Sequence, residues 1–516
     1  MASDISSEVV WDSLPALPQG WVWTHVNEIS SLVRGVSYNK SEALKTSKDG
    51  FLPIIRATNI NKQLNFDDLV YVPNSCISSE QMIRKFDVIF AMSSGSKDLV
   101  GKSAQANSDF YGGFGTFCGL IRPVKGLNEQ YFGIFFQSPV YRKKISTLSS
   151  GIGINNLRRD DIESIDFPFP PLPEQHRIVT KIEELFTQLD AGVASLKKVQ
   201  AQLKRYRQAV LKAAFEGRLS QEWREQHKGE IGGASVLLQS VIKLRKKLTK
   251  HEIEVSNPLD NTDFQKIPEE WFWCSSKDIF EFVTSGSRGW AKYYSIDGAL
   301  FIRIGNLTRD SISLNFDNIQ KVNPLETAEM KRTRVYENDI LVSITADIGS
   351  IGLIPEGIGE AYINQHIALC RPIKQVNAKY IAWYLRSENG GNKQLISLQR
   401  GATKIGLGLD DIKSINIPLC PLIEQETIVS ELERLFSIAD EIEKTITISL
   451  RQAETLRQSI LKRAFEGKLV PQNPDDEPTS ILLERIKAEK AHHAAEAKKV
   501  KTLKPTLPKR KIKNAN

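Results

Sequence analysis

The chain has 516 residues, 41% of them hydrophobic and 25% charged, with a formal net charge of +8; this is the profile of an ordinary soluble globular protein with room for roughly three or four domains. No apolar run approaches the roughly 18 residues a spanning helix needs, and the polar start Met1 to Pro18 lacks the pattern of a signal sequence, so a cytoplasmic location with no membrane is expected. The five cysteines, Cys76, Cys118, Cys274, Cys370 and Cys420, form no CxxC pair, which predicts reduced, mostly buried thiols in place of disulfides or zinc ligands.

In chain order, residues 1–16 read as an N-terminal segment and residues 17–167 as a first domain. That domain opens on Leu17-Pro18-Gln19-Gly20-Trp21-Val22-Trp23, where Trp21 and Trp23 read as packing anchors. Short β-type runs such as Asp87-Val88-Ile89-Phe90-Ala91 alternate with Gly-, Ser- and Asn-rich turns, and a helix is expected near Tyr131 to Lys144. The proline cluster Phe167 to Pro173 then marks a change of period, because prolines are tolerated where the first N–H groups of a helix have no helical partner.

Beyond the prolines, over residues 168–220, Ile178, Ile182, Leu185, Leu189, Val193, Leu196, Val199, Leu203, Tyr206 and Val210 are spaced by threes and fours, like the seam of a coiled coil. The helix should end at Gly217, in the triplet Phe215-Glu216-Gly217, where a left-handed cap is least costly. About 44 residues at about 1.5 Å each span on the order of 65 Å, too long a stripe to bury on one small domain. A linker with a short helix is expected over residues 221–266.

The chain then repeats itself. Trp271 to Val470 follow Trp21 to Ser220 at an offset of about 250, giving a second domain over residues 267–417, with Trp271 and Trp273 as anchors, the strand Asp339-Ile340-Leu341-Val342-Ser343 and a helix near Tyr380 to Ser387. A second helical segment covers 418–470, with a seam of Ile428, Leu432, Leu435, Ala439, Ile442, Ile446, Ala453, Leu456 and Ile460 and an end at Gly467. Even the segments that follow echo, Ala234-Ser235-Val236-Leu237-Leu238 against Thr479-Ser480-Ile481-Leu482-Leu483. The expected fold class is therefore α+β: two tandem strand-rich mixed domains separated by two long antiparallel coiled-coil helices, with an internal pseudo-twofold that places the domains at opposite ends of a rod.

Residues 471–516 form a basic C-terminal tail. From Lys498 to Asn516 there are eight Lys or Arg and no acid, which accounts for the whole net charge. Such a tail is either a solubilising end or a DNA-gripping arm, and any argument for DNA must rest on local placement of charge.

Two domains, each followed by a proline-started helix that carries P-L-x-E-Q at Pro171 to Gln175 and Pro421 to Gln425 and ends in L-K-x-A-F-E-G-x-L at Leu211 to Leu219 and Leu461 to Leu469, resemble the specificity subunit of Type I restriction–modification enzymes. The resemblance runs from Leu17 to Leu469. It implies that each domain is a target-recognition domain reading one half of a split double-stranded DNA site, with the helices holding the two at a fixed separation. It also implies two methyltransferase subunits docked on the helices and two restriction (motor and nuclease) subunits, with S-adenosylmethionine, ATP and Mg on those partners and no cofactor or metal in this chain.

The candidate DNA contacts lie in polar, basic loops of both copies. In the first they are Arg34, Tyr38, Lys40, Arg56, Asn59, Ser93, Ser94, Ser96, Lys97, Lys102 and Asn155. In the second they are Arg288, Arg303, Asn306, Thr345, Asp347, Gln365, His366 and Lys404. Arg can bind guanine, and Asn or Gln adenine, through paired hydrogen bonds, while Ser and Lys position the phosphate backbone. Isolated Arg and Asn beside glycine are also ordinary turn residues or members of surface ion pairs.

No catalytic machinery is evident. Gly95 to Ser103 resembles a phosphate loop but has five residues between its glycines where that loop has four. The [DNS]-P-P-[YF] tetrapeptide of amino-methyltransferases, GxSxG and HExxH do not occur, so the chain reads as a non-enzymatic recognition subunit. The alternatives are a self-contained DNA methyltransferase or nuclease, and a coiled-coil scaffold that binds only protein.

Overall fold

A computed structural model describes residues 14–94, 99–148, 155–229, 234–249, 266–400 and 406–502. Ser96, Lys97, Lys404, residues 151–154 and residues 503–516 lie outside these. The chain divides into two compact units, one of residues up to Ser195 joined by those from Ile448 onward, the other of Leu196 to Thr447. Each unit thus takes one sheet-containing domain, the first half of the helix that follows it and the second half of the other long helix.

In the first unit a four-stranded antiparallel sheet runs in the order Ser30–Arg34, Cys118–Pro123, Val88–Ala91, Ser103–Gln105. Beside it Phe51–Ile55 pairs with Val70–Pro73 and, in parallel, with Gly113–Phe114. Val88–Ala91 is wholly buried. Its side chains alternate between two apolar clusters, Val88 and Phe90 in one and Ile89 and Ala91 in the other, which is why an unbroken apolar run here forms a strand covered on both faces. The second unit repeats the plan with Phe280–Ser285, Ile367–Pro372, Ile340–Ser343 and Ile351–Leu353, and with Ala299–Ile302 between Gln320–Val322 and Ala361–Ile363. In each domain a two-stranded ribbon ties the first strand to the last, Val22–His25 to Asp166–Phe169 and Phe272–Ser275 to Asn416–Leu419.

The long helices run Leu172–Phe215 and Leu422–Phe465, and Gly217 and Gly467 follow with φ of 71° and 67°. Within each unit the two helix halves are antiparallel. Arg457 is hydrogen-bonded to Asp190 and Gln472 to Glu174 in the first unit, and Arg207 to Asp440 and Arg224 to Glu424 in the second, so partner numbers fall on one side as they rise on the other. Each helix ends in the core of the unit that holds the other copy's domain. Phe465 meets Tyr131 and Phe135 with ring centroids at 5.1 and 5.3 Å, and Phe215 meets Tyr380 and Tyr384 at 5.3 and 5.1 Å.

Three expectations need correction. The seam is less apolar than its spacing suggests, because Val199, Tyr206, Ile442 and Leu456 are exposed. At matched positions Arg207 and Arg457 lie over the rings of Phe436 and Phe186, at 5.7 and 4.2 Å, while bonding an acid on the facing helix; a guanidinium on an aromatic face replaces a purely aliphatic contact. The helix expected over Tyr131 to Lys144 is two, Glu129–Phe135 and Pro139–Leu148, since Pro139 has no N–H to continue the first ladder. The C-terminal region opens with a 24-residue helix, Thr479–Thr502. Leu482 and Ile486 bury its start in the first unit's core, and Lys487 pairs with Glu28 at 2.8 Å. The helix Ala234–Thr249 does the same in the second unit, where Val241 is buried.

Candidate nucleic-acid interface

In the first domain the predicted loops converge on the segment Gly115 to Phe117. The Val36 N–H donates to Phe114 O (2.7 Å), Gly115 N–H to Ile55 O (2.8 Å) and Met92 N–H to Phe117 O (2.9 Å), while the Thr116 hydroxyl donates to Val36 O at 2.8 Å. Ser93 and Ser94 pair with Asn156 and Asn155 as a short antiparallel ribbon. Loops far apart in sequence, those of Arg34, Arg56, Ser93 and Asn155, are thereby gathered at one end of the sheets.

The second domain repeats the convergence around Asn364 to His366. Gly286 N–H donates to Ile367 O (3.1 Å), Asn364 N–H to Ile302 O (3.2 Å), Ile344 N–H to His366 O (3.0 Å) and Leu407 N–H to Ile344 O (2.9 Å). Ser287 bridges to Asn364 and Thr345 to Gly406. The imidazole of His366 is held on both sides, Nδ1 by the Thr345 hydroxyl at 2.6 Å and Nε2 by the Gln365 amide at 2.9 Å.

One glycine in each copy makes this closeness possible. A Cβ on Gly35 would stand 2.1 Å from Gly115 O, and one on Gly286 would stand 2.0 Å from Asn364 O, so only glycine lets the two backbones meet there. Beside these glycines Arg34 and Arg288 are exposed. Among the described residues neither has an acidic partner, so their charge faces solvent unneutralised.

The other predicted residues divide by what already holds them. Asn59 and Asn306 are buried and spend their amides on their own loops: each accepts from the backbone N–H of Arg56 or Arg303 (2.9 and 2.8 Å) and donates to Asp67 O or Asn315 O (2.8 and 2.9 Å). Arg56 donates to the carbonyl and carboxylate of Asp68 at 2.7 and 2.9 Å, and Arg303 donates to Asn318 O at 3.4 Å. Asp347 accepts from Arg309 and from the Ser350 hydroxyl (2.9 Å), and the Arg309 guanidinium holds its carboxyl below the usual carboxylate range. Tyr38 is half-buried against the small core of Val36, Ile54 and Val72. Lys40 is exposed in the turn Lys40–Glu42, and Lys102 reaches Asn61 Oδ1 at 2.8 Å, which joins the Ser93 hairpin to the Arg56 loop.

Several residues of this surface escaped the sequence reading. Gln81 donates to Arg34 O at 3.0 Å, and Arg332 donates to Ser285 O at 2.7 Å and to the Ser287 hydroxyl at 3.1 Å; both pin the strand end that leads into the required glycine. Thr116 and Phe117 occupy the places of Gln365 and His366. The repeat carries a sequence correspondence for them, since Leu120, Arg122 and Pro123 answer Leu369, Arg371 and Pro372 one residue short of the general offset, and Cys118 N–H to Gly115 O (2.9 Å) answers Ile367 N–H to Asn364 O (3.2 Å) in the same register.

Two sheet-based domains, each presenting gathered polar and cationic loops and each followed by a long helix, define a tandem recognition protein. Comparison with known proteins gives the family. The chain matches the Type I restriction modification DNA specificity domain over residues 18–205 and again over 268–452, and it belongs to that family. It is 34% identical to the EcoKI specificity subunit of Escherichia coli K12 over 92% of this chain and 96% of that one, and 34% identical to the StySPI specificity subunit of Salmonella potsdam over the same shares. A chain from a solved structure of a type I restriction–modification system shares the fold, with a TM-score of 0.58 and 18% identity over 88% of this chain and all of that one. The protein is a Type I specificity subunit, a non-catalytic DNA-recognition component of a restriction–modification complex. Proteins of this family carry no cofactor of their own. Among the described residues no helix is long and apolar enough to cross a membrane.

Proposed function

We propose that residues 17–167 and 267–417 each read one half of a bipartite double-stranded DNA site through the loops gathered at Gly35 and Gly286, in the cytoplasm. The observation that carries this reading is a glycine-enforced backbone crossing in each copy with an exposed arginine close by in sequence that has no acidic partner among the described residues, Arg34 immediately before Gly35 and Arg288 two residues after Gly286. Phosphate contacts from such cations position a duplex, and base-edge contacts from neighbouring side chains specify it. Arg34, Lys40, Arg56, Ser93, Ser94, Ser96, Lys97, Lys102 and Asn155 serve the first half-site, and Arg288, Arg303, Thr345, Gln365, His366 and Lys404 the second. Tyr38, Asn59, Asn306 and Asp347 act by shaping the loops.

Two methyltransferase subunits dock on the helices, and two restriction subunits complete the assembly; S-adenosylmethionine, ATP and Mg bind those partners. The exposed apolar residues Ile438 and Ile442 in one unit, and Ile448 and Leu456 beside a groove of about 530 Å³ in the other, suit helix-face docking. The test is a hybrid in which residues 17–166 are replaced by those of a relative with another specificity, read by sequencing methylated bases in a host that carries the cognate methylase. The first half-site should change and the second persist. A hybrid in which both or neither changed would overturn the assignment.

A further inference from the structure

The centre of the first reading surface is an exposed phenylalanine. Phe117 is 67% exposed, although its main chain is held: its carbonyl accepts from the N–H groups of Met92 (2.9 Å) and Ser93 (3.4 Å), and Gly115 on one side and Cys118 on the other are fixed by their own backbone bonds. A large apolar side chain on so rigid a support is placed there, since a mobile loop could have folded it inward. In the second domain the same position is His366, whose ring is occupied by Thr345 and Gln365. The Phe117 side chain offers no hydrogen bond, and a DNA duplex presents no cation of its own to an aromatic ring, so the contact it makes there is a packing contact.

Resting on the DNA-reading function above, we propose that Phe117 is a specificity-determining residue of the first half-site and makes an apolar contact with the C5-methyl group of a thymine. In the major groove that methyl is the apolar feature that distinguishes thymine from the other bases, and aromatic or aliphatic side chains recognise it. The two domains then differ at one position: the first offers an apolar contact, and the second an imidazole whose two ring nitrogens are engaged by Thr345 and Gln365.

The test uses the full chain with its methyltransferase partner and measures binding to duplexes altered in one half-site at a time. Phe117→Ala should lose roughly tenfold of its preference for the cognate first half-site, keep its discrimination at the second, and recover part of the loss as Phe117→Leu. Retained discrimination by Phe117→Ala at the other base pairs of the first half-site shows that its first domain is folded. Replacing the thymines of the first half-site singly by deoxyuridine, which lacks the methyl, should weaken the parent protein at one position and leave Phe117→Ala indifferent there. The proposal is overturned if Phe117→Ala discriminates as well as the parent, if it loses both half-sites equally, or if no deoxyuridine position distinguishes the two proteins. A parent protein with no sequence preference would instead sink the DNA-reading function itself.

Discussion

The two copies agree most closely where they are buried and differ most where they would meet a ligand. Trp21 and Trp271 each donate from Nε1 to a helix-start carboxylate, Glu174 or Glu424, at 2.9 Å. Gln175 and Gln425 each accept the N–H of Asn128 or Asn377 (2.8 and 2.9 Å) and donate to Pro170 O or Cys420 O (2.8 and 2.7 Å). Tyr131 and Tyr380 bond Pro168 O and Pro418 O, and Arg122 and Arg371 clasp Asp87 and Asp339 with two bonds each. At the centre of the reading surface the identity ends: where the first copy has Gly115-Thr116-Phe117, the second has Asn364-Gln365-His366. Duplication preserved groups whose loss would leave a buried donor or acceptor unpaired and released those that solvent satisfies.

Within the shared scaffold one difference has energetic weight. Glu424 receives, besides Trp271, the Ser220 hydroxyl at 2.7 Å and the Arg224 guanidinium at 2.5 Å. Glu174 has the neutral amide of Gln472 at 3.2 Å instead, and burial raises its carboxyl above the ordinary value. Neutralising the two acids should separate the units. Glu424→Gln takes the nearest negative charge from a largely buried guanidinium, which keeps the Gly217 carbonyl at 2.8 Å and the Glu270 carboxylate at 3.9 Å, and should cost about 3 kcal/mol, the upper end for a hydrogen bond to a charged group, whereas Glu174→Gln lets the Gln472 amide turn to accept and should cost no more than about 1 kcal/mol. Thermal unfolding of the two variants reads the contrast, and equal losses would show that the third partner does not matter. The sign with pH follows from the same burial. Folded, Glu174 keeps its proton to higher pH than it does unfolded, so the stabilisation it lends is full below pH 4.5 and fades as pH rises through its raised folded value. Glu174→Gln, always neutral, should flatten that slope.

The close backbone crossings offer a second comparison. Gly35→Ala and Gly286→Ala each drive a methyl into a carbonyl oxygen, and each should cost about 3 kcal/mol, near the upper end for overpacking. Each should also impair only its own half-site, as measured by binding to singly altered duplexes. Loss of both half-sites from one substitution would mean that the domains do not read independently.

Much of this architecture was written in the repeat. The offset, the proline-to-glycine helices and the strand Val88–Ala91 could be read because period and turn chemistry are local properties. What could not be read depends on tertiary proximity. Nothing local announces that Phe465, at the end of the second helix, lies against Tyr131, or that Asn59 is buried and bonded to its own loop while Arg34, in an equally polar loop, faces solvent. Gln81 and Arg332 were invisible for the same reason, since their role is set by a carbonyl about 47 residues away. Phe117 was passed over because an apolar residue reads as core until its exposure is known.

The arginines at the strand ends sharpen the comparison further. Arg56→Ala and Arg303→Ala should each remove about 1–3 kcal/mol of discrimination at one half-site. Arg56 also bonds both the carbonyl and the carboxylate of Asp68, where Arg303 makes a single long bond to Asn318 O among the described residues, so Arg56→Ala should additionally lower the stability of its unit. Uniform weakening on all DNA, cognate or not, would mark them as phosphate contacts.

The smallest effect is expected from the end of the chain, where the copies differ in length and charge. The helix Ala234–Thr249 leads into a linker, whereas Thr479–Thr502 leads into a segment of lysines. The first unit holds the latter helix through Leu482, Ile486, Lys487 and Lys490, the last of which donates to Ser30 O at 2.8 Å. All four precede Lys498, so deletion of Lys498 to Asn516 spares every one of these contacts. Both half-site preferences should therefore survive, while non-specific binding weakens and the slope of log affinity against log salt becomes shallower, because clustered lysines act through counterion release. The measurement is a salt titration of binding to cognate and unrelated duplexes. A truncated chain with an unchanged salt slope would show that these lysines never approach the phosphates, and one with altered half-sites would place the tail among the reading elements.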